Sequence, residues 1–270
     1  MYNEYYGFRE APFNITPDPR FLFFSDQHRE AFNHILFGIR ERKGFVQITG
    51  EVGAGKTTVC RAILEQLGET YKTALILNPR LTSAQLLRGI LAELGLPPRR
   101  ADRAAGLEAL NRFLLEQADA GRDVVLFIDE AQDLDDDLLE EVRLLSNLET
   151  DRRKLLQIVL IGQPELREKL DARGLRQLRQ RITVRYHLEP LSRADTDRYI
   201  RHRLQIAGGN GRPDFSGWAI RMIHRHSQGV PRLINAVCDK TLLCGFVAGA
   251  DHLTSGHVRR AVRELEGNFP

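Results

Sequence analysis

The stretch Gly50-Glu51-Val52-Gly53-Ala54-Gly55-Lys56-Thr57 is a complete G-x-x-x-x-G-K-[ST] motif, and Thr58 follows it directly. An apolar run, Phe45–Thr49, precedes the motif, and a helical pattern of apolar residues follows it. In this context the glycines let backbone N–H groups turn inward around phosphate oxygens, and the helix N-terminus adds partial positive charge. We therefore expect the residues from Gly50 to Thr58 to bind a phosphorylated ligand. Lys56 would reach its terminal phosphates, and the Thr57 hydroxyl would ligate Mg²⁺.

On both sides of this motif, short strand-like runs alternate with amphipathic helical stretches. The strand-like runs are Phe45–Thr49, Thr73–Leu77, Val124–Ile128, Leu155–Ile161 and Ile182–His187. Such alternation predicts βαβ units, and an uninterrupted apolar run such as Val124–Ile128 is typical of a central strand covered on both faces. The sequence therefore predicts an α/β fold with a parallel sheet flanked by helices.

The pattern changes at both ends of the chain. Residues 1–25 are rich in aromatic residues and proline, which predicts a non-helical segment that packs on another part of the protein. A helix is expected from about Ser25 to Arg42. The helical patterns after Pro190 cover residues 192–207, 214–227, 230–247 and 254–265. We therefore divide the chain into an N-terminal linker (1–25), an α/β domain (26–190) and a small all-helical domain (191–270).

The composition is that of an ordinary globular protein. Hydrophobic residues make up 42% and charged residues 28% of the 270 residues, which excludes a disordered, collagenous or coiled-coil chain. No apolar run approaches the ~20 residues of a membrane helix, and no signal peptide is visible. The net charge of +3 does not by itself indicate nucleic-acid binding. We expect a soluble, cytoplasmic protein.

An acidic pair directly follows the predicted buried strand Val124–Ile128. Asp129 comes where the strand reaches the carboxyl edge of the sheet, and open α/β sheets bind their ligands at that edge. A carboxylate there is suited to hold Mg²⁺, and Glu130 is placed to activate an attacking water as general base. The acids that follow are better explained as a helix cap and a solvated face: Asp133, Asp135, Asp136 and Asp137.

Two polar residues after other strands are weaker candidates. Gln163 follows the strand Leu155–Ile161, and it would position water at the terminal phosphate if that strand neighbours the one before Asp129. The alternative is an ordinary polar turn residue. Asn78 could hydrogen-bond Glu130 and hold it away from water, or it could simply form the turn that Asn-Pro pairs favour.

Arginines crowd the stretch before the last predicted strand, at Arg173, Arg176, Arg179 and Arg181. Such a run is usually a solvated face. An arginine at a protein edge can also reach a neighbour's terminal phosphate, which accelerates phosphoryl transfer by about 10³–10⁵-fold. Arg232 follows Pro231 in the first turn of a predicted helix. Because cations are not favoured at a helix N-terminus, this position favours a phosphate contact for Arg232.

With these motifs in order, the sequence resembles an AAA+ ATPase. Within that group it is similar to the ExeA/GspA-like secretion ATPases and to the MSHA pilus biogenesis ATPase type. The blocks that carry the resemblance extend over nearly the whole chain. They are Tyr6–Phe8 with Pro12-Phe13 and Pro17–Pro19, Gly44-Phe45 with Thr49–Gly53, Ile128–Gln132, Leu144–Thr150, Gly162–Leu166, Leu175–Ile182 and Pro231–Asn235.

The resemblance implies a P-loop NTPase sheet of strand order 5-1-4-3-2, with ATP and Mg²⁺ bound between the sheet and the helical domain as a lid. It places the N-terminal segment near the adenine, and it implies a ring or dimer in which Arg181 or Arg179 acts in trans. GspA-like proteins also carry a membrane span and a peptidoglycan-binding domain. The printed sequence contains neither, so we expect a piece of a longer protein or the short, ATPase-only pilus type.

The leading hypothesis is a Mg²⁺-dependent ATPase that drives assembly of a cell-envelope secretion or type IV pilus-like machine. It would be peripheral to the inner membrane through a partner protein. One alternative is an AAA+ regulator that assembles on DNA, supported by an excess of arginine and by runs such as Arg152-Arg153-Lys154. The net charge and the lack of a helix-turn-helix signature weigh against it. The other alternative is a nucleotide-gated scaffold with little turnover.

Overall fold

The computed structural model describes residues 1–14, 19–77, 81–96, 103–150 and 153–267. All the predicted strands are present, with ends shifted by one or two residues. The strands of the α/β region are β1 (Phe45–Gly50), β2 (Tyr71–Ile76), β3 (Asp123–Ile128), β4 (Glu149–Thr150), β5 (Arg153–Lys154), β6 (Leu156–Gly162) and β7 (Ile182–Leu188). The short strands β4 and β5 form a separate antiparallel pair that was not predicted from the sequence.

The other five strands form one parallel sheet in the order β2-β3-β6-β1-β7. Numbered among themselves, these strands have the order 5-1-4-3-2 when read from the opposite edge, so the predicted topology is confirmed. Every residue of β1 and β6 is buried, and only the first residue of β3 is not. Central parallel strands are covered on both faces, which explains their nearly continuous apolar sequences.

Helices connect these strands and continue beyond them. Within the described residues the α-helices are α1 (Tyr2–Tyr6), α2 (Asp26–Arg40), α3 (Lys56–Leu67), α4 (Ser83–Glu93), α5 (Arg103–Asp119), α6 (Asp136–Leu145), α7 (Pro164–Asp171), α8 (Arg176–Arg181), α9 (Arg193–Ile206), α10 (Gly217–Ser227), α11 (Pro231–Val247) and α12 (Ser255–Leu265). None of the helices among the described residues has both the length and the apolar character needed to cross a membrane.

Residues 27–50 and 59–188 form one compact unit that contains the five-stranded sheet. Its core joins sheet residues such as Leu126 to helix residues such as Ile90, Leu110 and Val142, all of which are fully buried. This burial of apolar helix faces against a sheet is the main source of stability in such a layered fold. The core therefore fixes the ends of the strands, where the predicted site residues lie.

Residues 1–26, 51–58 and 189–270 form the second compact unit. Its helices α9 to α12 share a hydrophobic core with the aromatic N-terminal segment, in which Tyr6, Phe8, Phe13 and Phe21 are each no more than 7% exposed. The Tyr6 hydroxyl donates a hydrogen bond to the carbonyl oxygen of Ala250 at 3.1 Å. Burial is the main cause that raises the pKa of Tyr6 to about 12. The aromatic segment thus packs on the helical region, as its composition required.

The second unit differs from the sequence-based expectation in two places. The N-terminal segment, expected to lack helix, begins with α1, which ends at Gly7 (φ +73°) before the first proline. The region expected to be all-helical also contains a parallel pair of short strands, β8 (Asp214–Phe215) and β9 (His252–Leu253). Strands of this length carry too few residues to show an alternating pattern. The candidate residue Asn78 lies outside the described residues.

Candidate active site

The strands that precede the predicted site residues all end at the carboxyl edge of the five-stranded sheet. In the ladder of β3 and β6, Ile128 pairs with Leu160, and in that of β1 and β6, Thr49 pairs with Gly162. The residues directly after these strands are Asp129, Gln163 and, after Gly50, the phosphate loop. Ligands of open α/β sheets bind outside this edge, so the topology supports the predicted location of the site.

The phosphate loop has the backbone conformation that its glycines allow. Gly53 has a φ of +80° and Gly55 a φ of +104°, values that other residues adopt only with strain. Helix α3 begins at Lys56, which is only 6% exposed and whose Nζ donates a hydrogen bond to the carbonyl oxygen of Glu51 at 2.9 Å. The ammonium group therefore lies inside the loop, where a bound phosphate would need it.

Arg232, the predicted lid arginine, contacts the phosphate loop directly. Its backbone N–H lies 3.4 Å from the carbonyl oxygen of Gly53, and its own side chain is exposed. A Cβ atom added at Gly53 would lie 2.4 Å from the Cβ of Arg232, so only glycine permits this approach. Arg232 and Gly53 belong to the same compact unit. The contact places a cationic side chain at the loop, as the prediction of a phosphate contact requires.

The acidic pair after β3 is held tightly at the end of its strand. Asp129 is 5% exposed, and its Oδ1 accepts a hydrogen bond from the backbone N–H of Glu130 at 2.9 Å. Burial chiefly, and the charge of Asp129 secondarily, raise the pKa of the neighbouring Cys60 to about 12, so this thiol stays protonated at neutral pH. Glu130 itself has a φ of +51°, an uncommon conformation for a non-glycine residue that often marks functional sites.

Two glutamines hold the carboxylate of Glu130. Its Oε2 accepts hydrogen bonds from Nε2 of Gln132 at 2.8 Å and from Nε2 of Gln163 at 3.2 Å. Gln132 also accepts a hydrogen bond from the backbone N–H of Gln163 at 3.0 Å. Gln163 thus approaches the predicted general base. Gln132 was not among the site residues predicted from the sequence, although it belongs to the block Ile128–Gln132 that carries the family resemblance.

The two finger candidates are both engaged in the structure. Arg181 donates hydrogen bonds from one terminal nitrogen to Ser146 Oγ at 2.9 Å and to Asn147 Oδ1 at 2.6 Å. The Nε of Arg179 lies 3.1 Å from a carboxylate oxygen of Asp171. The side chain of Arg179 is 49% exposed, whereas Arg181 is partly buried. Both arginines therefore lie at or near the surface of the α/β unit.

The chemistry of these residues fits a magnesium–nucleotide complex. The positive φ values of Gly53 and Gly55 allow a loop to turn its backbone N–H groups toward an anion, and the first turn of α3 contributes the positive end of a helix dipole. The Thr57 hydroxyl and the Asp129 carboxylate supply oxygen, which is the ligand type that Mg²⁺ prefers. The chain thus contains residues that would hold the phosphates and residues that would hold the metal.

Comparison with known proteins finds a matching domain family and a curated relative. A family model described as an AAA domain matches residues 39–170. General secretion pathway protein A of Aeromonas hydrophila is 48% identical over 271 aligned residues, which cover 99% of this chain and 49% of the relative. The chain therefore spans about half the length of the curated relative that it matches.

Solved structures with the same fold are more distant in sequence. The ORC2 protein of Aeropyrum pernix is 19% identical with a TM-score of 0.65, covering 95% of this chain and 72% of that one. Cdc6p of Pyrobaculum aerophilum is 18% identical with a TM-score of 0.68, covering 92% and 71%. RuvB of Thermotoga maritima is 20% identical with a TM-score of 0.58, covering 88% and 69%. At such identities these similarities show the fold alone. The 48% identity to the secretion protein over almost the whole chain, together with the AAA-domain match, places this chain in the ExeA/GspA-like AAA+ ATPase family.

Proposed function

We propose that this chain hydrolyses ATP with Mg²⁺ and that the hydrolysis drives assembly of a secretion or type IV pilus-like machine in the cell envelope. The observation that carries the proposal is the meeting, at one sheet edge, of the strand that leads into the phosphate loop and the strand that ends in Asp129 and Glu130. This order supplies a phosphate cradle, a metal ligand and a base, which are the parts that phosphoryl transfer to water needs.

Each candidate residue has one proposed task. The loop from Gly50 to Thr58 and Arg232 bind the phosphates, while Thr57 and Asp129 ligate the metal. Glu130 accepts the proton of the attacking water, and Gln163 orients that water. The aromatic N-terminal segment lies near the adenine. When bound, the metal would neutralise charge that develops on the terminal phosphate.

The proposed link to the cell envelope comes from the relative named General secretion pathway protein A. Because the chain matches about half of that protein, the rest of the relative's activity does not transfer automatically. We propose a partner at the inner membrane, through which this chain acts as a peripheral protein.

The direct test is ATP turnover by the purified chain. We expect phosphate release in the presence of Mg²⁺ and its loss when EDTA removes the metal, with recovery when Mg²⁺ is restored. A matched sample with Ca²⁺ in place of Mg²⁺ should turn over poorly, because Ca²⁺ has longer ligand distances and looser geometry. Phosphate release that persists unchanged in EDTA would refute the proposed role of the metal. Nucleotide binding without release in any condition would favour the scaffold alternative.

We further propose that the chain self-associates and that Arg181 reaches the nucleotide of a neighbouring subunit. Arg181 is already oriented by Ser146 and Asn147, whereas Arg179 forms an exposed ion pair of a kind that usually contributes little to stability. An arginine held in place loses less conformational freedom when it binds a phosphate. This pre-orientation favours Arg181 over Arg179 as the finger.

Turnover per subunit should therefore rise with protein concentration, and Arg181→Ala should lower the stimulated rate by about 10³-fold. Mixing Arg181→Ala with Glu130→Gln should partly restore turnover, because one variant keeps the base and the other keeps the arginine. Arg179→Ala is the competing variant, and Arg167→Ala, exposed on α7, is the matched control. Full activity of a dilute monomer would contradict action in trans.

A further inference from the structure

Hydrogen bonds between the segments that follow β3 and β6 indicate a role for Gln132, which was not predicted to belong to the site. Gln132 lies in the short 3₁₀ turn Ala131–Asp133 after β3, whereas Gln163 follows β6. We propose that Gln132 is a positioning residue that fixes the carboxylate of Glu130 relative to Gln163. The inference rests on the proposed function, because it assigns Gln132 a task in the reaction for which Glu130 is the base.

The side chain of Gln132 uses both ends of its amide. Its Nε2 donates to Glu130 Oε2 at 2.8 Å, and its Oε1 accepts from the backbone N–H of Gln163 at 3.0 Å. The side chain of Gln163 then donates to the same Glu130 oxygen at 3.2 Å. The three residues form a closed ring of hydrogen bonds. Rotation of the Glu130 carboxylate would break two of these bonds together.

The surroundings leave room for this ring and hold it in place. A Cβ atom added at Gly162 would lie 2.9 Å from Gln132 Oε1 and 2.7 Å from Leu166 Cδ2, so a side chain there would displace the amide. Lys169 Nζ donates a hydrogen bond to the carbonyl oxygen of Gln132 at 2.9 Å, which stabilises the turn Ala131–Asp133. These contacts indicate a built arrangement, because the backbone N–H of Gln163 and the side chain of Lys169 both donate hydrogen bonds to Gln132.

The ring of hydrogen bonds restricts the position of the Glu130 carboxylate, the proposed base. Glu130 occupies a left-handed backbone conformation, φ +51°, that persists only when the surrounding contacts determine it. A general base must lie within hydrogen-bond reach of the water that it activates, and small displacements reduce the rate strongly. Gln132 therefore affects the chemical step through Glu130, and it makes no proposed contact with nucleotide. Loss of its amide should lower kcat and leave nucleotide affinity unchanged.

The test compares Gln132→Ala with Gln117→Ala in the whole chain. Gln117 is also a buried amide, 7% exposed, and it bonds Arg122 before β3 begins, at the other end of that strand. We expect Gln132→Ala to lower kcat about tenfold, with the Kd for a fluorescent ATP analogue within about twofold of wild type. Gln117→Ala should leave kcat unchanged, even if it lowers the melting temperature as much.

A second readout needs no nucleotide. In the wild-type chain the backbone N–H of Gln163 donates a hydrogen bond to Gln132 Oε1, so hydrogen–deuterium exchange of this backbone amide should be slow. Gln132→Ala should exchange at that amide about tenfold faster, and Gln117→Ala should exchange as wild type does. Equal exchange in Gln132→Ala and wild type would overturn the proposed contact.

Gln132→Glu keeps the length of the side chain and the acceptor for the backbone N–H of Gln163. It therefore provides a second test if Gln132→Ala fails to fold. It replaces the donor to Glu130 with a second carboxylate. We expect slow exchange at Gln163 together with a kcat at least tenfold lower. If wild type hydrolyses ATP and either Gln132→Ala or Gln132→Glu keeps a wild-type kcat, the inference about Gln132 fails while the proposed function stands. If wild type does not hydrolyse ATP, the proposed function fails first.

Discussion

Lys56→Ala should abolish nucleotide binding, with the Kd for ATP rising at least ~100-fold. The ammonium group is almost completely buried inside the phosphate loop, where it donates to the carbonyl oxygen of Glu51. A phosphate that enters the loop would meet this charge at short range in a site with little solvent, where a charge-assisted hydrogen bond is strongest. Alanine removes the charge and leaves the backbone N–H groups as the main donors. Isothermal titration calorimetry with ATP and Mg²⁺ measures the change.

Lys72→Ala is the matched control for this prediction. Lys72 is exposed on β2, so its removal deletes the same charge away from the loop. Its affinity for ATP should stay within about twofold of wild type. Wild-type affinity in Lys56→Ala would contradict the assignment of the loop as the phosphate site. Equal melting temperatures of the two variants would show that the loss of binding is local.

Glu130→Gln should bind ATP normally and hydrolyse it at least ~10²–10⁴-fold more slowly. The amide has the shape of the carboxylate, and its oxygen can still accept from Gln132 and Gln163, so the hydrogen-bonded ring remains. It cannot accept a proton from water. The expected result is therefore a loss in kcat alone, which single-turnover phosphate release and nucleotide titration separate.

Glu168→Gln, exposed on α7, changes the same functional group away from the strand ends and should turn over as wild type does. Normal turnover in Glu130→Gln would refute the proposed base. Loss of affinity as well as turnover would instead show that Glu130 helps to hold the metal. Asp129→Asn then serves as the comparison, because its buried carboxylate is the proposed metal ligand.

The sheet and the loop could be predicted because their signals are local. The glycines before Lys56 combine with an apolar strand and an amphipathic helix in consecutive residues, and β1, β3 and β6 are apolar throughout. Their order in the sheet is not a local property. It followed only from the resemblance to a known family, and the structure confirms it.

The remaining features depend on contacts between distant parts of the chain. Gln132 and Gln163 lie 31 residues apart, so nothing in the sequence near either residue predicts that they share an oxygen of Glu130. The packing of Phe13 and Phe21 on the helical region also depends on residues far apart in the sequence. The composition of the N-terminal segment predicted that it is buried, but not which part of the protein covers it. Strands β8 and β9 are too short to be recognised from an alternating pattern.

The most direct measurement is a crystal structure of the purified chain with Mg²⁺ and a non-hydrolysable ATP analogue. We predict the triphosphate in the loop Gly50–Thr58, with Lys56 Nζ at its terminal phosphates, the metal bound by Thr57 and Asp129, and the Glu130 carboxylate facing the terminal phosphate. An empty loop, or an analogue bound elsewhere on the protein, would contradict the proposed site.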